Sequence, residues 1–74
     1  MKTVDAKNMQ CPMPIVQVAK FIRENPEETC FLIEATDLAF EADIKAWCEK
    51  THNKLSDFKK EDAGHFVATI EILE

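Results

Sequence analysis

The sequence predicts an α/β (α+β) two-layer sandwich, βαβαββ, with two helices packed on one face of a four-stranded mixed sheet. Two stretches repeat apolar residues at helical spacing, and the stretches before, between and after them favour β-structure. An apolar helix stripe and an apolar sheet face must both be shielded from water, and packing one against the other buries both. With only 74 residues, we expect a single domain, 1–74.

The first half of the chain predicts a strand, a helix and a central strand. Residues 3–6 alternate apolar and polar side chains, which is typical of a short half-buried strand. The helix stripe that follows consists of Ile15, Val18, Ala19 and Ile22. This helix should end near 24–25, because the residue before Pro26 is disfavoured in the helical conformation. Residues 29–35 are nearly all apolar or β-favouring, which indicates a buried central strand.

The second half predicts a helix and two strands. Asp37 is expected to cap the second helix, since its carboxylate can accept a hydrogen bond from a first-turn N–H. The helix stripe consists of Phe40, Ile44, Trp47 and Cys48. The lysine-rich segment 55–60 predicts an edge strand, and 66–72 predicts a strand joined to it by a hairpin turn at 62–64. The apolar face of the last strand is formed by Phe66, Ala68, Ile70 and Ile72.

Composition and charge exclude several classes of function. The net charge of −5 disfavours general nucleic-acid binding, which depends on neutralising phosphates with Lys and Arg. No apolar run is long enough to span a membrane, and the N-terminus lacks the apolar core of a signal peptide, so we expect a cytoplasmic protein. The odd number of cysteines without an export signal argues against a disulfide framework, and their spacing contains no Cys-x-x-Cys pair of the kind that zinc motifs use. We therefore expect neither metal nor cofactor.

Cys11 is the candidate reactive centre. Pro12 suits the first position of a helix, which would place Cys11 at the N-cap, beside the positive end of the helix dipole. There the N–H of Met13 could stabilise the thiolate, although Pro14 removes another donor, so a moderately lowered thiol pKa is expected. Cysteine is a poor cap, so its presence at this position favours a chemical role. The two prolines should stiffen the segment and hold the thiol outward.

Other residues near the thiol have predicted supporting roles. Met9 and Met13 are expected to form a docking patch, because methionine adapts to varied partner surfaces. If both helices start at the same edge of the sheet, Asp37 would lie near Cys11 and its charge would oppose the thiolate. Cys30 and Cys48 lie in apolar segments, where free cysteine is usually packed into the core.

Several segments together resemble the TusA/SirA-like sulfur-carrier family. They are Asp5, Cys11-Pro12-Met13-Pro14, Thr36-Asp37, Ile44-x-x-Trp47-Cys48 and His52-Asn53-Lys54-Leu55. The resemblance implies a βαβαββ sandwich that carries sulfur as a persulfide on Cys11, with Pro12, Met13, Pro14 and Asp37 as supporting residues. It also implies relay of that sulfur towards tRNA thiolation, sulfur oxidation or cofactor biosynthesis. The implied donors and acceptors are cysteine desulfurases and rhodanese-like or DsrE-like proteins.

The chain departs from the family pattern at three places. Asn8-Met9 replaces a common Gly-Leu pair, and Asn is the residue after Gly that best tolerates a left-handed backbone. Leu38 stands where proline is frequent, and Thr51 stands where glycine is usual. None of these changes removes the thiol.

Two other functions remain open. The same surface could serve as a regulatory or accessory module for a transporter or sensor, without obligatory thiol chemistry. A nucleic-acid-binding domain is the third possibility, since such sandwiches can host that role, but the acidic charge disfavours it. For the leading hypothesis we expect a monomer without membrane insertion. It would act as a sulfurtransferase-type relay rather than as a stand-alone turnover enzyme.

Overall fold

The computed structural model describes residues 2–62 and 64–73 and confirms the predicted α+β architecture. The elements, in chain order, are β1 Lys2–Ala6, α1 Met13–Glu24, β2 Cys30–Ala35, α2 Phe40–Thr51, β3 Lys54–Asp62 and β4 His65–Glu71. The helices end where the sequence indicated, α1 just before Asn25 and α2 at Thr51. Within the described ranges, no helix has both the length and the apolar character needed to cross a membrane.

The sheet is mixed, with strand order β1-β2-β4-β3. β1 pairs with β2 in parallel, and the other two pairings are antiparallel. β2 is therefore an inner strand and the lysine-rich β3 lies at an edge, as the sequence predicted. Because β1 and β2 are parallel, their carboxyl ends lie along the same edge of the sheet, and the segments that follow both strands leave the sheet there. That edge is where both helices begin.

The hydrophobic core lies between one face of the sheet and the two helices. Alternate residues of β1, β2 and β4 point towards the helices, so that Val4, Ile33 and Ala68 lie side by side in register. Val18 of α1 and Phe40, Ile44 and Cys48 of α2 cover this face and are buried. The predicted stripe of α2 is thus packed, with Trp47 partly buried. The predicted stripe of α1 is packed at Ile15, Val18 and Ile22 but wrong at Ala19, which is exposed, whereas Phe21 packs against the core.

Some predicted details differ from the structure. β3 is longer than 55–60 and carries two register shifts, a feature that helps an edge strand to avoid pairing with another chain. β4 begins one residue before the predicted strand and ends at Glu71, so that Ile72 packs against the core from beyond the strand end. Of the predicted hairpin turn at 62–64, Ala63 lies outside the described residues, while Gly64 has a positive φ of 79°.

Candidate functional site

The segment that carries Cys11 is anchored to the loop that follows β2. The backbone N–H of Asn8 donates a hydrogen bond to Oγ1 of Thr36 over 2.8 Å, which ties the two loops together at one edge of the sheet. Asn8 adopts a positive φ of 66°, so it takes the left-handed conformation that asparagine tolerates, as the sequence indicated. The loop can therefore turn towards the helix side without a glycine.

The start of α1 differs from the prediction by one residue. The first helical residue is Met13 and the N-cap is Pro12, so Cys11 lies one position before the cap. The peptide bond between Cys11 and Pro12 is cis. The sequence pattern placed Pro12 at the first helical turn because proline is frequent there; the structure instead has Pro14 in the first turn.

The N–H groups at the start of α1 are not available to the thiol. The N–H of Met13 donates to the carbonyl of Gln10 over 2.7 Å, and the N–H of Ile15 donates to the carbonyl of Pro12 over 3.1 Å. Pro14 has no N–H. The expected stabilisation of a thiolate by the Met13 N–H is therefore wrong, because a local turn at 10–13 already uses that donor.

The Cys11 side chain is exposed and lies at an open groove of about 240 Å³ between the two helices. Four apolar residues line this groove, namely Pro12, Ile15, Ala46 and Trp47. Asp43 and Lys50, both on α2, supply its two charged side chains. The groove thus joins one exposed thiol to an apolar surface and a pair of opposite charges.

The electrostatic environment of Cys11 is acidic. The thiol donates a hydrogen bond to the carboxylate of Asp43, which raises the pKa of Cys11 above its ordinary value. Partial loss of water, and the negative charges of Asp43 and Asp37, raise this pKa further. The predicted lowering of the Cys11 pKa is therefore wrong. In the free protein the thiol holds its proton more firmly than an ordinary cysteine does.

Asp37 lies near Cys11 but does not cap α2. The N-cap is Ala39, without a side-chain hydrogen bond, and Asp37 stands two residues earlier with its carbonyl accepting from the N–H of Phe40 over 3.0 Å. The capping prediction is wrong because an extra turn at 38–39 precedes the helix. The Oδ2 atom of Asp37 is shielded from solvent and has no hydrogen-bond partner among the described residues. As expected, its charge opposes the Cys11 thiolate.

The two methionines differ in exposure. Met13 is 44% exposed, as is its helix neighbour Val16 at 47%, so this part of α1 presents apolar surface to solvent. Met9 is half-buried and packs against the core. It lines a second, more polar cavity of about 350 Å³ together with Asn8, Gln10, Thr36, Asp37 and Leu38.

The other two cysteines lie away from the groove. Cys48 is 4% exposed within the core, and burial raises the pKa of its thiol. Cys30 is half-buried at the start of β2, opposite Glu71 of β4. Among the described residues, no group of His, Cys, Asp or Glu side chains is arranged to hold a metal ion.

Asp43 and Lys50 are the charged groove residues that the sequence analysis did not identify. Together with Ala46 and Trp47 they recur at i, i+3, i+4 and i+7 along α2, a stripe that borders the buried one. That spacing is visible in the sequence. Its position against Cys11 depends on how α1 and α2 pack, which the spacing does not give.

The fold and the site define a class of protein, a small α+β domain that displays one cysteine at the junction between a loop and the first helix. The sequence profile of the family described as Sulfurtransferase TusA matches residues 2–72. The chain therefore belongs to the TusA/SirA-like family of sulfur carriers.

Two Bacillus subtilis (strain 168) proteins described as candidate sulfur carriers are similar to the chain. YrkF is 40% identical over 48 residues, which cover 65% of this chain and 26% of YrkF. YrkI is 39% identical over 46 residues, which cover 62% of this chain and 61% of YrkI. The matched segment thus spans about a quarter of one relative and about three-fifths of the other.

Solved structures support the same fold. A SirA-like protein from Desulfitobacterium hafniense superimposes with a TM-score of 0.82 at 21% identity, over the full length of both chains. An uncharacterised protein from Listeria monocytogenes serotype 4b has a TM-score of 0.66 at 12% identity, over all of this chain and 33% of the other. At these identities the likeness concerns the fold alone.

Proposed function

We propose that the protein carries sulfane sulfur as a persulfide on Cys11 and relays it from a donor protein to an acceptor protein. The observation that carries this proposal is the placement of an exposed thiol at the mouth of an apolar groove, in a chain of the sulfur-carrier family. Cys30 and Cys48 are less suitable, because the first is half-buried and the second lies in the core.

The proposed loading step is an exchange without net oxidation. The Cys11 thiolate attacks the outer sulfur of a donor persulfide, R–S–SH. The S–S bond of the donor breaks, R–S⁻ leaves as a thiolate, and Cys11–S–SH forms. The proton of the resting Cys11 thiol passes to a base before the attack, and R–S⁻ can take up a proton afterwards. Delivery is the same exchange in reverse, with a nucleophile of the acceptor attacking the outer sulfur.

The surface around the thiol supports docking of a partner protein. Met13 and Val16 present apolar surface on α1, and the groove walls add Ile15 and Trp47. Flexible methionine side chains suit a surface that must accept a donor and an acceptor in turn. Met9 contributes less area than Met13, because it is half-buried against the core.

We propose the partners and the pathway from family membership. Cysteine desulfurases and rhodanese-like or DsrE-like proteins are the proposed donors and acceptors. The cytoplasm is the proposed compartment. Transfer RNA thiolation, sulfur oxidation and cofactor biosynthesis are the routes in which such a relay would serve.

The proposal is tested by the intact mass of the protein after incubation with inorganic polysulfide, a source of sulfane sulfur. The wild type should gain the mass of one sulfur atom, and dithiothreitol should remove it. The Cys11→Ser variant should gain none, because it lacks the attacking sulfur. Cys30→Ser is the matched control and should load like the wild type. A wild type that takes up no sulfur, or a Cys11→Ser variant that loads normally, would contradict a Cys11 carrier and favour an accessory module.

A further inference from the structure

The two acidic residues in the first turn of α2 have different surroundings. Glu41 forms ion pairs with Lys45 at 3.0 Å and with Lys60 at 3.8 Å. Asp43 is half-buried, lines the groove beside Cys11, and has no ion pair with any described residue. One carboxylate of this turn is therefore neutralised by lysines. The other carboxylate lies without an ion-pair partner among the described residues, in the groove that contains Cys11.

From this geometry we propose that Asp43 is a positioning residue whose unpaired carboxylate lines the same groove as Cys11 and restrains the reactivity of its thiol until a partner binds. A carboxylate beside a thiol repels the thiolate and can accept the thiol hydrogen, and the raised pKa of Cys11 agrees with both effects. The N–H donors at the start of α1 are occupied or absent, so the local backbone provides little opposing stabilisation of a thiolate. The groove therefore favours the protonated state of Cys11.

The charged groups that face Cys11 come from two elements, α2 and the loop after β2. Asp43 and Lys50 line the groove from α2, and Asp37 acts from the loop after β2. The first turn of α1 contains no acidic residue. Of these groups Asp43 contributes most to the raised pKa of Cys11. Replacement of Asp43 should therefore change the reactivity of the Cys11 thiol more than replacement of the other groups.

For the proposed relay, this arrangement makes the free carrier slow to react and leaves activation to the donor. A donor surface that places a lysine or arginine against Asp43 would satisfy the carboxylate and release the thiol to ionise. This consequence depends on the proposed function. The restraint itself does not, and it can be measured with a small alkylating reagent that needs no sulfur chemistry.

The test is the rate of carbamidomethylation of Cys11 by iodoacetamide as a function of pH. Trypsin cleaves after Lys7 and Lys20, so the fragment 8–20 reports Cys11 separately from the other cysteines. Asp43→Asn and Asp43→Ala should both move the inflection of the rate profile to lower pH and speed alkylation at neutral pH. Asn retains an oxygen that can accept a hydrogen bond and Ala does not. Comparison of the two variants therefore separates the effect of the carboxylate charge from the effect of hydrogen bonding to the thiol.

The matched control is Glu49→Gln, which makes the same change of charge at an exposed position of α2 outside the groove. Its profile should coincide with that of the wild type, and circular dichroism should show folded protein for every variant. The proposal is overturned if both Asp43 variants keep the wild-type inflection, or if Glu49→Gln shifts it equally. Failure of polysulfide loading with a shifted alkylation profile would count against the carrier function alone.

Discussion

Replacement of Ile44 by alanine should strongly destabilise the domain, because this side chain fixes α2 against the sheet. Ile44 is fully buried and directly follows Asp43 in the chain. The change removes three carbon atoms, worth about 2.4 kcal/mol at ~0.8 kcal/mol each. The cavity left behind raises the expected loss to roughly 3–4 kcal/mol.

This loss is large relative to the total stability of so small a domain. At ~0.05–0.15 kcal/mol per residue, a chain of 74 residues has a free energy of unfolding of roughly 4–11 kcal/mol. With a urea m-value of about 1 kcal/mol/M, the unfolding midpoint should fall by roughly 3–4 M. If that leaves too little folded protein, Ile44→Val supplies a milder step of about 0.5–1.5 kcal/mol.

Urea unfolding followed by tryptophan fluorescence provides the assay. Trp47 is the only tryptophan of the chain and is partly buried, so its emission reports whether α2 is docked. Leu38→Ala is the control, because Leu38 is 83% exposed and its truncation should change stability by no more than about 0.5 kcal/mol. Equal midpoints for the Ile44 variants and the Leu38 variant would refute the packing of α2 described above.

Two further predictions concern the other cysteine environments and the loop that carries the thiol. In the native protein Cys48 should resist Ellman's reagent and react only in denaturant, because its side chain is buried and the pKa of its thiol is raised. Rapid reaction without denaturant would contradict its place in the core. Asn8→Ala should cost about 1 kcal/mol in thermal or urea unfolding, because alanine is strained at a φ of 66°, whereas Asn8→Gly should be nearly neutral. Equal losses for the two Asn8 variants would show that the backbone conformation is not the cause.

Local sequence patterns were sufficient to predict the elements of the fold. The helix stripes containing Val18 and Ile44 and the alternating face of β4 follow from the periods of 3.6 and 2 residues, which depend only on near neighbours in the chain. The position of β3 at an edge followed from its lysines. These features depend on near neighbours in the chain. The one tertiary contact that they require is the packing of the helix stripes against the apolar face of the sheet.

The helix starts were predicted less well. Both Cys11 and Asp37 were expected to cap a helix, and both lie before the actual cap. The energy differences between neighbouring start positions are small, since one hydrogen bond contributes about 1 kcal/mol. In the structure a turn at 10–13 uses the Met13 N–H, and a turn at 37–40 precedes α2. Competing turns of this kind determine the residue at which a helix starts, and composition alone does not predict which turn is the more stable.

Patterns of near neighbours along the chain specify which elements form and which sulfur stands at the junction between the first loop and the first helix. The charge around that sulfur depends instead on how distant segments pack together. Asp43 belongs to another helix, and its approach to Cys11 depends on the relative rotation and packing of α1 and α2 on the sheet. Electrostatic interactions depend on distance in space rather than in sequence. For this reason the chain pattern indicated a lowered thiol pKa, whereas the folded protein raises it.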